Sequence, residues 1–97
     1  MEEAMIESRI KYLAKYNGLQ NVSNLVIEEC SELIKELTKL NRTLGSNEYV
    51  KEEICDVIIM IKQLMRCLDI TDADISQEMQ IKLGRTLKRV GAMNDRN

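Results

Sequence analysis

A chain of 97 residues has room for one small domain and no second. Its 14 Lys and Arg against 16 Asp and Glu leave a net charge of -2, which gives no general electrostatic basis for binding a nucleic-acid polymer or a membrane. With no His and no Cys-x-x-Cys a zinc centre is disfavoured, and no run approaches the ~20 apolar residues of a membrane span.

The lack of Pro, together with only four Gly, favours helices. Three Tyr, no Phe and no Trp make the core aliphatic and rich in Met. Cys30, Cys55 and Cys67 lie within helical patterns and read as small apolar residues in a reducing compartment. The acidic start Met1-Glu2-Glu3 lacks the basic and apolar regions of a signal peptide, so the expected location is cytoplasmic.

The first helix is predicted from about Glu2 to Tyr16, on the stripe Ile6, Ile10 and Leu13, with Asn17-Gly18 as its stop. Tyr12 and Tyr16 lie one turn apart on it. They are candidates for stacking on a nucleobase, although amphipathic Tyr at a bundle edge is the commoner role. Leu19 to Ser23 is predicted as a connection, with Asn21 or Ser23 capping a second helix that runs to about Asn41. The segment from Asn41 to Asn47, which includes Gly45, is the clearest break, and Ser46 or Asn47 is placed to cap the third helix. That helix is predicted to reach about Leu68 and is apolar nearly all round in its middle, so burial on several sides is expected. A chain this short hardly provides it, which points to a homo-oligomer, dimer or tetramer, with Ile59 at the interface.

A last helix begins at Thr71-Asp72-Ala73-Asp74, a capping box with Asp in place of Glu. Ile75, Met79, Leu83, Leu87 and Val90 form its apolar stripe, with Lys82, Arg85 and Arg89 along one edge. Those cations read either as a solvated face near a helix C-terminus or as phosphate contacts. Residues 92–97 are polar and expected to fray. The expected fold is all-α: a four-helix bundle-like subunit, one domain over 1–97 with its core at about 2–91.

Two acidic clusters stand out on these helices. Glu29-x-x-Glu32 and Glu53-x-x-Asp56 each place two carboxylates on one side of a helix, since positions three apart are neighbours. Glu29 and Glu53 occupy the same offset at the edge of their apolar arcs, and Glu36 shares the Glu29 side. Carboxylates set against a core are costly to desolvate and repel one another without compensation. A hard divalent cation with oxygen ligands supplies it. A single Glu-x-x-Glu is ordinary on a charged helix; two copies at matching offset on consecutive helices favour a metal site.

Glu29-x-x-Glu32, a spacer and Glu53-x-x-Asp56 resemble the signature of the all-α nucleoside triphosphate pyrophosphohydrolases. These are the MazG-like proteins, with dimeric dUTPases and phosphoribosyl-ATP pyrophosphatase as relatives. The resemblance spans about Asn24 to Leu68. It implies that Glu29, Glu32, Glu53 and Asp56 bind Mg²⁺, with Mn²⁺ as a substitute, and that a nucleotide is cleaved to its monophosphate and pyrophosphate. One of the four would serve as general base. Glu36 would be an outer or additional-metal carboxylate, and Lys82, with Arg85 and Arg89 behind it, would meet the phosphates. The chain departs from better-known members in carrying Gln63 where many have Asn and in lacking a Trp over the base. A phosphoribosyl-ATP substrate and a non-enzymatic helical interaction module are the alternatives.

Overall fold

The computed structural model describes residues 1–91, and the expected fraying at 92–97 lies outside them. It is all-helical among the described residues, with three helices: α1 (Glu2–Asn41), α2 (Asn47–Cys67) and α3 (Asp72–Arg89). The expected four-helix bundle is therefore corrected, because the two segments predicted before Asn41 form one element with a kink.

The kink sits at Gly18, whose φ of 77° and ψ of 163° break the helical path for a single residue. Such a conformation is essentially restricted to glycine. Instead of a connection over 19–23, helix resumes at once. The physical reason is local hydrogen bonding: the Asn21 amide donates to the Asn17 carbonyl at 3.0 Å, taking up an acceptor at the kink. The Asn17 amide in turn donates to Gln63 Oε1 on α2, also at 3.0 Å. Asn21 and Ser23 thus lie inside α1 and cap nothing.

α1 and α2 pack antiparallel, so that Glu29 meets Glu53 near one end while Ala14 meets Cys67 near the other. The core between them is small. Ile10, Ala14, Val22 and Met60 are the buried apolar residues, with Gln63 the buried polar one. Val26, Leu33, Val57 and Leu64 are half-buried along the same seam. Ile34 and Leu37, apolar residues of the same helix, are exposed.

The link between α1 and α2 is tightly determined. Leu44 N–H donates to the Lys39 carbonyl and Thr43 N–H to that of Leu40, both at 2.9 Å, a Schellman closure with Thr43 left-handed at φ 60°. A β-branched residue seldom adopts that conformation. A Cβ on Gly45 would meet the backbone nitrogen of Leu40 at 3.0 Å, so the chain passes too close to α1 for a side chain. Ser46 then caps α2 by accepting from Tyr49 N–H at 3.3 Å.

A second Schellman closure ends α2, with Ile70 N–H donating to the Met65 carbonyl at 2.9 Å and Asp69 at φ 56°. The expected capping box follows. Asp74 N–H donates to Thr71 Oγ at 3.1 Å and Thr71 N–H to the Asp74 carboxylate at 2.9 Å, which holds the Asp74 carboxyl below its usual range. From this corner α3 leads away, packing against neither α1 nor α2 among the described residues. None of the described helices is long and apolar enough to cross a membrane.

Candidate metal centre

The acidic clusters meet across the α1–α2 seam. Carboxylate oxygens of Glu29, Glu53 and Asp56 lie within 4.8 Å of one another, with Glu29 and Glu53 half-buried and Asp56 exposed. Their spacing follows from helix geometry: Glu53 and Asp56 share a side of α2 because three residues make most of a turn, and Glu29 comes from the facing side of α1.

Glu32 is half-buried one turn beyond Glu29 and stands outside that closest trio. It is near enough to act electrostatically, since its charge helps raise the pKa of both Glu29 and Glu53. Glu36 adds to the effect at Glu53. At Glu29 loss of hydration is the largest cause, followed by the charge of Asp56, while a hydrogen bond with Glu53 works in the opposite direction. At Glu53 loss of hydration again leads, followed by Asp56 and Glu29. Both side chains therefore hold a proton more readily than a free carboxylate.

Among the described residues, two oxygens in the seam are buried without a hydrogen-bond partner, Oε2 of Glu53 and Oε1 of Glu36. The other Glu36 oxygen accepts from Lys39 at 3.4 Å. The contrast with the α2–α3 corner is informative. A cleft of about 410 Å³ there contains acids too, but Glu7 and Asp72 among them are paired: Lys62 lies 3.7 Å from Glu7 and 3.9 Å from Asp72, and Arg66 3.5 Å from Glu7. The seam gathers carboxylates with far less compensation. An all-oxygen, anionic donor set of this kind fits Mg²⁺ or Mn²⁺ rather than a soft metal.

The remaining sequence candidates fall elsewhere. Lys82, Arg85 and Arg89 are exposed on α3, and Arg89 contacts only Thr86 Oγ, at 3.4 Å, among the hydrogen bonds of the described residues. α3 packs against neither α1 nor α2 among the described residues, so these cations are not packed against the hairpin that carries the carboxylates. Tyr12 and Tyr16 stack on each other with ring centroids 6.4 Å apart, both exposed on the limb of α1 before the kink. Sequence reasoning missed the structural part of Gln63. The signal was a polar residue amid the apolar pattern of α2, level with Asn17 once the helices are antiparallel.

Comparison with protein-family models, with curated proteins and with solved structures finds no match for this chain.

Proposed function

We propose that this chain is a divalent-cation-dependent nucleotide pyrophosphohydrolase of the MazG-like kind, converting a nucleoside or deoxynucleoside triphosphate to its monophosphate and pyrophosphate. The observation that carries the metal-binding half is the convergence of Glu29, Glu53 and Asp56 with Glu53 Oε2 buried and unpartnered. The reaction rests on the resemblance of the paired acidic motifs.

In this reading Glu29, Glu53 and Asp56 hold the cation, and Glu32 stands beside them to take the proton of the attacking water. When bound, the cation supplies positive charge for phosphate oxygens and acidity for that water. Glu36, braced by Lys39, closes one end of the seam. Asp56 is the most exposed of the three ligands and marks the side from which a polyphosphate enters.

The test is pyrophosphate release from a panel of ribo- and deoxyribonucleoside triphosphates with Mg²⁺, running Glu53→Ala beside the wild type. Release should depend on the metal and fall at least about 100-fold in the variant, the scale for removing a group that stabilises developing charge. No release combined with no metal binding would sink the proposal. Metal binding without release from any nucleotide would leave the site and overturn the substrate class.

A further inference from the structure

Charge is not spread evenly along this chain. From Ser8 to Ile27 α1 holds no acidic residue, and Arg9, Lys11 and Lys15 give that span three positive charges in a chain whose net charge is -2. The overall balance thus hides a local excess of the opposite sign. All three cations are exposed, and among the described residues none of them is ion-paired.

Taken at 100° per residue, Lys11, Lys15, Tyr12, Tyr16 and Arg9 follow one another round about 160° of the helix, leaving the face of Ile10 and Ala14 buried. Tyr12 and Tyr16 stand inside that arc, 68% and 76% exposed. Their rings are within 13° of parallel with centroids 6.4 Å apart, so two like-oriented aromatic faces are presented one turn apart. Beside them lies a shallow groove of about 280 Å³ where Lys11 and Lys15 meet Arg66, with Ala14, Cys67 and Asp69 completing its lining. Arg66 is shared with Glu7, at 3.5 Å, whereas Lys11 and Lys15 are left for an anion from outside.

Single-stranded nucleic acid has the matching chemistry. Cations neutralise its phosphates, and aromatic faces stack on its bases with little regard to sequence. A duplex offers the first contact but hides the second, because its bases are already stacked on one another. An acidic peptide would engage the lysines and leave the paired rings without a flat partner. The patch is also separate from the acidic seam: Arg66 lies 13 residues beyond Glu53 on the unbroken α2, about 20 Å of helix. That distance exceeds the span of a single nucleotide held at the carboxylates.

We propose that Tyr12, Tyr16, Lys11 and Lys15 form a binding platform for single-stranded nucleic acid, with successive bases on the two rings, the adjoining phosphates on the lysines and Arg9 at the far edge. The platform is independent of the metal centre and of its chemistry.

Fluorescence anisotropy of a labelled single strand of about eight nucleotides, with the full chain in low salt and EDTA, tests it; the chelator keeps any cation out of the seam. Wild type should bind this strand more tightly than a duplex of the same length and more tightly than a strand of abasic sites. Tyr12→Ala combined with Tyr16→Ala should weaken binding at least about fivefold, the lower limit for losing one stacked base, while Tyr12→Phe with Tyr16→Phe retains it. Lys11→Gln with Lys15→Gln should reduce the slope of log K against log salt by about 1.4, at about 0.7 for each phosphate. Intrinsic fluorescence of the unaltered chain gives a second reading, since two of its three tyrosines should be quenched as strand is added. Absence of single-strand binding at low salt would overturn the platform. Binding that the Tyr→Ala pair leaves intact, or that abasic strand or anionic vesicles match, would overturn nucleic-acid bases as the ligand.

Discussion

At the scale of single residues, the seam carboxylates oppose the stability of the chain that contains them. Glu29 and Glu53 have folded-state pKa values above their ordinary ones. For an acid raised on folding, the native state binds the extra proton. Stability is then fully present below the unfolded value near 4.5 and declines as pH rises through the raised folded value. The melting temperature of the metal-free protein should therefore fall as pH is raised above about 4.5. Glu53→Gln should flatten that fall and raise the neutral-pH melting temperature in the absence of metal. Adding Mg²⁺ should raise the wild-type melting temperature at pH 7 more than at pH 5 and leave Glu53→Gln unmoved, a pattern that thermal scans would reveal. Gln63 works in the other direction. Only 2% of it is exposed, and Gln63→Ala removes the partner of the Asn17 amide, at a cost of about 1–3 kcal/mol measurable by urea unfolding. The acids were legible in sequence because i, i+3 spacing is local. Gln63 was not, because its meaning depends on a residue 46 positions away.

At the scale of elements, the sequence pattern located every break but misread one of them. Asn17-Gly18 has the composition of a stop, and the structure uses it as a one-residue kink because Asn21 and Gln63 satisfy the polar groups there. A stop and a kink share their chemistry and differ only in what lies across from them. Apart from its chain neighbours and the adjacent helix backbone, no atom of the described residues lies within 4 Å of where a Gly18 Cβ would stand, so Gly18→Ala tests backbone strain. It should destabilise by about 1–3 kcal/mol in chemical unfolding, more than an exposed helical glycine-to-alanine change, which normally stabilises. The capping box at Thr71 was legible to the residue, since capping is local. That α3 is amphipathic was equally plain, but a stripe states only that something covers it, not which surface does.

At the scale of the whole molecule, the chain is one two-helix unit followed by a third helix. Because α3 packs against neither α1 nor α2 among the described residues, its amides should exchange quickly, whereas those of α2 around Met60, covered by α1, should keep protection longer. Hydrogen exchange read by mass spectrometry separates the two segments. Equal protection of α3 and of α2 around Met60 would contradict the difference in packing.

The link at Gly45 gives the carboxylate arrangement a property that loops seldom confer. Insertions in surface connections are usually tolerated, yet this one sets the phase of α2 against α1, with Schellman closure on one side, Ser46 on the other and no room beside Leu40. One added residue would turn α2 by about 100° or slide it by about 1.5 Å. Either change would carry Glu53 and Asp56 out of alignment with Glu29, and would turn Met60 and Gln63 away from the core at the same time. The length of this connection is thus a whole-number determinant of both: the register that packs the seam is the register in which the acids meet.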